Sequence, residues 1–285
     1  MILGRRKEVE TGRWNTLTVV KKLDFGSYLD GGVEGEILLP RRYEPVGLEI
    51  GQELDVFLYF DSEDRIVATT ETPKAQVGEV AYLEVKQLTS PGAFLDWGLP
   101  KDLLVPRREQ RTPMAEGRRY IVYVYRDRVT GRIAATTKID RYLDNTMPKY
   151  ETGDEVDAIV TEFTPLGYKV VVDNLHTGLV YEGDVYEPLT IGQRLKLYVK
   201  KVREDDKIDL QPTPIGYAKV GDLGEKIMSK LEEAGGELPY GDKSDPEDIK
   251  REFGCSKKSF KMTIGTLMKS GRIELTSKGG IKQKR

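Results

Sequence analysis

The 285 residues carry 45 Lys and Arg against 47 Asp and Glu, a net charge of −2 with a pI near 5.8, which argues against a polycation that coats nucleic acid indiscriminately. A single cysteine, Cys255, excludes an internal disulfide, and with one histidine, His176, it leaves no Cys/His zinc cluster. Met1 to Glu8 runs straight into charged residues without the apolar core of a signal peptide, and no apolar run approaches membrane-span length. A cytoplasmic protein with no membrane partner is therefore expected.

In chain order, Thr16-Leu17-Thr18-Val19-Val20 predicts a first strand and Tyr28-Leu29 a second, ended by the turn residues Asp30-Gly31-Gly32. Residues 36–39 predict a third strand closed by Pro40, the alternating 54–60 a fourth, and 66–70 a fifth. Five short strands in about 60 residues predict a small closed or Greek-key barrel. The unit then returns. Pro91-Gly92-Ala93-Phe94-Leu95-Asp96 and Leu103-Leu104-Val105-Pro106-Arg107-Arg108 repeat Phe25-Gly26-Ser27-Tyr28-Leu29-Asp30 and Ile37-Leu38-Leu39-Pro40-Arg41-Arg42. A blurred third copy runs from Leu166-Gly167-Tyr168-Lys169 to Gly178-Leu179-Val180-Tyr181. Gly51-Gln52, Gly117-Arg118 and Gly192-Gln193 precede the fourth strand of each copy. Short Pro-containing joints at 72–76 and 144–148 separate the copies.

After Pro214 the period changes from two to helical. Asp222 is placed to cap a helix burying Leu223, Ile227, Leu231 and Ala234, stopped by Gly235-Gly236. Asp245-Pro246 starts a second helix that ends at Gly254, and Ser256 caps a third over about 257–269 with Phe260, Ile264, Leu267 and Met268 inward. Residues 272–275 and 280–282 predict a basic hairpin, which with three helices describes a winged helix. The fold class is mainly β: three tandem five-strand barrels followed by a small α/β winged-helix domain, with domains at 1–75, 76–146, 147–215 and 216–285.

Charge is distributed unevenly. Residues 12–73 hold 6 Lys/Arg against 12 Asp/Glu, 77–140 hold 11 against 8, and 150–214 hold 7 against 13, whereas from Ser256 onward nine Lys/Arg face only Glu274. A local anion-binding surface at the C-terminal end follows, carried by Lys257, Lys258, Lys261 and Lys278.

Phe25 and Tyr28, three apart around Gly26, suit a pair of rings on a barrel face, with the glycine leaving its neighbourhood open. Exposed rings stack on bases of any sequence; core burial of one ring is the alternative. Asp61 and Arg65 are placed to flank that strand and meet phosphate or ribose. Phe94, Asp127 and Arg132 are their counterparts, and Trp97 either stacks or packs. Arg41, Arg42, Arg107 and Arg108 follow the third strands, where a loop meets phosphates or solvent alone. In the third copy Tyr168, Lys169, Tyr181, Arg203 and Lys207 form a different candidate anion surface.

The repeats resemble the S1 RNA-binding domain, an OB-fold. Phe25, Tyr28, Gly35, Gly51-Gln52, Asp61 and Arg65-Ile66 match its pattern, while Leu38, Leu104 and Tyr181 stand where that family carries an RNA-contacting histidine. Three S1-like repeats and a winged helix in this order, with Asp24–Gly32, Gly92–Pro106 and Phe253–Lys261 as the most telling stretches, are similar to the conserved virulence factor B family of bacteria. The resemblance implies an RNA-binding protein affecting expression of other genes, with single-stranded RNA as partner. Duplex DNA read by the winged helix, or a ribosome- or polymerase-associated scaffold, are the alternatives. Asp205, Asp206 and Asp209 are placed on a turn and strand where acids face water, and no Walker motif, nucleophile elbow or His-based acid/base is present. No cofactor, metal or catalytic residue is expected, and the chain reads as a binding protein.

Overall fold

The computed structural model describes residues 8–185, 187–214, 220–277 and 279–284. Two compact units divide the chain at 143/144. In the first unit, β1 (Trp14–Leu23), β2 (Gly26–Asp30), β3 (Glu36–Pro40), β4 (Glu53–Phe60) and β5 (Ile66–Thr69) close a barrel in the order β1-β2-β3-β5-β4. The strands expected from alternation are thus present within one to three residues at their ends. β6 (Val80–Leu88), β7 (Gly92–Asp96), β8 (Leu103–Pro106), β9 (Arg119–Arg126) and β10 (Ile133–Thr136) repeat that order. Here β8 and β10 lie side by side without a hydrogen-bonded ladder.

The second unit begins with another closed barrel, β11 (Glu155–Thr164), β12 (Gly167–Val172), β13 (His176–Tyr181), β14 (Arg194–Val202) and β15 (Ile208–Gln211). It continues through α1 (Val220–Glu233), β16 (Glu237–Leu238), α2 (Pro246–Phe253), α3 (Lys257–Lys269), β17 (Ile273–Leu275) and β18 (Ile281–Gln283). The sheet β16-β18-β17 completes a winged helix. Among the described residues no helix is long and apolar enough to cross a membrane.

Two backbone devices recur in all three barrels. The long first strand carries a bulge at Val19/Lys21, Val85/Gln87 and Val160/Glu162. The bend lets one strand pair with both β2-type and β4-type neighbours, which closing so small a barrel requires. Each bulged valine exchanges two backbone hydrogen bonds with the Gly-x pair before the fourth strand. Gly51 N–H donates to Val19 O, Gly117 to Val85 O and Gly192 to Val160 O, all at 2.8 Å, and Gln52, Arg118 and Gln193 carbonyls accept in return. These three glycines have φ of 90°, 74° and 83°, a region that favours glycine.

The other device is the glycine that opens the second strand. A Cβ on Gly26, Gly92 or Gly167 would stand 2.3, 2.1 or 2.2 Å from the carbonyl of Leu39, Val105 or Val180. The space beside this glycine is therefore filled by the facing strand, not left open, and the repeated glycine serves backbone packing.

Inside unit 1 the cores of the two barrels are continuous. Phe57, Tyr59 and Val67 join the cluster of Leu83, Leu95, Trp97 and Val124. Trp97 packs: it is 3 % exposed, meets Phe57 edge to face at 5.8 Å, and donates its Nε1–H to Lys101 O. Burying such a side chain is worth about 2–3 kcal/mol.

In the winged helix, Asp245 caps α2 by accepting from Glu247 N–H, Gly254 ends it at φ 67°, and Ser256 caps α3 by accepting from Ser259 N–H. Asp222 lies within α1, and Ala234 falls beyond the end of that helix and is exposed. Met268 is exposed as well, and Thr263 takes the inward position. The strand Glu237–Leu238 is too short to leave an alternating pattern; its pairing with β18 marks it.

Candidate nucleic-acid interface

In the first barrel Ser27 and Leu29 point inward, so Tyr28 lies on the outer face opposite Leu38. Phe25, at the turn before β2, is 57 % exposed. The two rings meet edge to face at 6.3 Å, and Lys21 Nζ sits 5.4 Å from the Tyr28 ring centre. Core burial is thus excluded for Phe25. Sequence reasoning misses Lys21; its signal is the hairpin register, which sets Lys21 opposite Tyr28. Arg41 belongs to the same end of the barrel, its N–H donating to Phe25 O at 2.9 Å and its guanidinium to Asp24 O at 3.0 Å. Arg42 lies over the Tyr43 ring at 4.6 Å.

Asp61 and Arg65 face each other first. Arg65 donates through Nε and Nη2 to Asp61 Oδ2 at 2.9 and 2.7 Å, and its Nη1 lies 3.0 Å from Glu63. Burial alone would raise the Asp61 carboxyl, but hydrogen bonds from Arg65 and Glu63 outweigh it and hold its pKa below the usual carboxylate range. Arg65 remains 64 % exposed at its side chain, so a phosphate has access to it.

In the second barrel Phe94 occupies the Tyr28 position opposite Leu104, and Pro91 the Phe25 position. Arg107 donates to Thr89 O at 3.3 Å. Arg108 projects with 78 % exposure, 3.9 Å from Asp127 Oδ2. Asp127 Oδ1 accepts from Val129 N–H and from Thr130 N–H and Oγ1–H, and the Thr130 bonds lead in lowering its pKa against burial. Asp127 and Arg132 do not form the pair seen between Asp61 and Arg65. One extra residue in the turn carries Arg132 past its own aspartate to Asp64 in the preceding barrel, where Lys101 Nζ also binds at 2.9 Å. A cleft of about 420 Å³ opens between β8 and β10, bringing Phe94, Leu104, Arg108, Tyr125, Asp127 and Arg132 together.

The third barrel is arranged differently. Tyr168 takes the inward position of Ser27 and Ala93 and is 8 % exposed, so its ring offers no open stacking face. Lys169 replaces Tyr28 and pairs in register with Leu179, which therefore occupies the Leu38 position. Tyr181 aligns with Pro40 and Pro106, not with the family's histidine. Arg203 is bound to Asp209 at 2.6 Å and donates to Tyr181 Oη at 2.5 Å, which raises its pKa further. Lys207 pairs with Asp205 at 2.7 Å. Arg203, Asp209 and Tyr181 thus form one cluster, while Lys207 remains 69 % exposed at its side chain. His176 is buried, with Tyr150 Oη 3.2 Å from Nδ1 and Thr146 O 2.8 Å from Nε2.

On α3, Lys258 and Lys261 are exposed and Lys257 half-buried beside the Ser256 cap, and none of the three forms an ion pair among the described residues. Lys278 lies outside the described residues. Cys255 is buried, and burial pushes its thiol up to about 11. Among the described residues no group of three His, Cys, Asp or Glu is arranged to hold a metal ion.

The S1 domain profile matches residues 11–71 and 77–138, and that of the CvfB-like winged helix domain matches 225–282. The fold and these matches define a tandem S1, winged-helix protein, and both domain types support a nucleic-acid-binding role. Over most of its length the chain is similar to conserved virulence factor B proteins, and its winged helix matches the CvfB-like domain. Its relatives include the uncharacterized protein YitL of Bacillus subtilis, 28 % identical over 92 % of this chain and 90 % of that protein. Conserved virulence factor B of Staphylococcus epidermidis is 26 % identical over 90 % and 92 %. Among solved structures, a multidomain protein with nucleic acid binding domains from Streptococcus pneumoniae aligns over 96 % of this chain and 98 % of its own, with 23 % identity and a TM-score of 0.41.

Proposed function

We propose that this protein binds single-stranded RNA along its tandem barrels, adds phosphate contacts from the basic winged helix, and so influences bacterial gene expression. It acts as a cytoplasmic binding protein without catalysis, built of modules at 1–75, 76–146, 147–215 and 216–285. The observation that carries this reading is the exposed Phe25 ring set against Tyr28, with Lys21 over the latter. An edge-to-face pair beside a cation offers a base a stacking surface and its phosphate a counter-charge, and needs no sequence readout. Phe94, Arg107 and Arg108 extend the contact on the second barrel. Weak contacts on linked modules then add through effective concentration.

A second reading, in which the winged helix takes duplex DNA, is favoured by the lysines at the start of α3, where helix amides add to their charge. Competition between a single-stranded RNA and a duplex DNA of equal length for the full chain separates the two. RNA should displace DNA. Preferential retention of the duplex would overturn the RNA reading.

A further inference from the structure

The cleft of the second barrel has a cause in the sequence. Strand pairing sets Ala134 of β10 opposite Tyr125, the place held by Val67 opposite Tyr59 in the first barrel. In the third barrel Asp209 holds it, bonded to Arg203. Beside it, Leu38 pairs with Val67 in a parallel ladder, and Gly178, Leu179 and Val180 pair with Ile208, Asp209 and Leu210. The small Ala134 and the missing ladder between β8 and β10 leave the cleft at this place.

We infer that this cleft is a slot into which a single nucleobase of the bound strand inserts edge-on, between the third and fifth strands, instead of lying flat on the outer face. The inference rests on the RNA reading above and goes beyond it. The walls are Phe94, Leu104, Tyr125 and Ala134, planar or apolar surfaces suited to a ring, and about 420 Å³ lies at the small end of ligand sites. The rim is polar in the way a nucleotide requires. Arg108, 78 % exposed, is placed for the phosphate, while Asp127 Oδ2, with Arg108 as its ion partner at 3.9 Å, is placed to accept from a base amino or imino group. Lys101 and Arg132, both bound to Asp64, hold the mouth between the two barrels. The slot would give one position in the RNA a preference that the open stacking face of the first barrel does not impose.

The test is photo-cross-linking of the full chain to a 12-nucleotide oligouridylate carrying 4-thiouridine, with adducts located by peptide mass spectrometry. Adducts are expected on the peptides holding Phe94 or Tyr125 as well as near Phe25. Ala134→Leu fills the slot and should reduce the Phe94/Tyr125 adducts about tenfold, the loss of one well-held base, while those near Phe25 persist. Because Ala134 is buried, Arg108→Glu at the exposed rim serves as a second variant and should lower the same adducts with an unchanged circular dichroism spectrum. Adducts at the second barrel that survive both substitutions would mean flat stacking and overturn the slot. Adducts confined to the first barrel or α3 would overturn it too, leaving the RNA reading intact. Failure of the unaltered chain to bind any RNA would overturn both.

Discussion

The second and third barrels share strand order, bulge and opening glycine, and differ in what fills the seam between their third and fifth strands. In the second, Ala134 leaves a cleft, and Arg108 stands exposed at its edge. In the third, a three-pair ladder and the Arg203–Asp209–Tyr181 cluster occupy the same region. One backbone thus carries two surfaces. The repeated glycines and bulges belong to the frame, and the open chemistry belongs to positions the frame does not constrain.

The largest effect should come from attacking the shared frame. Gly92→Val or Gly167→Val drives a side chain into a carbonyl already 2.1 or 2.2 Å from an ideal Cβ, and each should cost about 3 kcal/mol in urea denaturation. A cost in one barrel only would break the equivalence of the two frames.

Next is the contrast in surface. Phe25→Ala with Tyr28→Ala should weaken binding of a single-stranded RNA about tenfold or more, as expected for losing a stacked base, whereas Leu166→Ala with Lys169→Ala in the third barrel should stay within about twofold. Fluorescence anisotropy titrations measure both. Equal losses would mean that the third barrel binds through a surface other than its ion-pair cluster.

Arg203→Ala should lower the melting temperature by leaving the Asp209 carboxylate, 14 % exposed, without its partner, and Arg108→Ala should leave melting unchanged. If the two variants melt alike, the third seam is not held by its ion pair. Replacing Lys257, Lys258 and Lys261 by alanine should flatten the slope of log K against log salt by about 2, near 0.7 for each phosphate of a single strand that is no longer neutralised.

The smallest effect concerns acid. Asp127 has a lowered pKa, so its stabilisation is complete above the ordinary carboxylate value and is lost as pH falls through the folded one. The Thr130 amide, which donates to it, should titrate with a midpoint below about 3.9 in an NMR shift series. A midpoint at or above that value would remove the turn's hold on the carboxylate.

Much of the architecture is legible in the chain because its signals are local. Alternation, Pro40, Asp30-Gly31-Gly32 and the caps at Asp245 and Ser256 act over a few residues, and the elements they mark are all present. The candidate site is less so. Phe25 and Tyr28 follow from spacing, but the partner of Arg132 lies 68 residues away, and nothing near Asp64 announces it. The third copy misleads for a related reason: Tyr168 sits one residue from the outward position, and a strand turns each successive side chain to the opposite face.

By itself, then, the sequence determined the repeated five-strand unit, its glycines and the winged helix, since each depends on backbone preferences carried by the residues themselves. Only the tertiary structure decided which of three equivalent positions stays open, because that depends on volumes and charges meeting across strands distant in the chain. Ala134 beside Leu104 leaves room, Val67 beside Leu38 pairs, and Asp209 draws in Arg203.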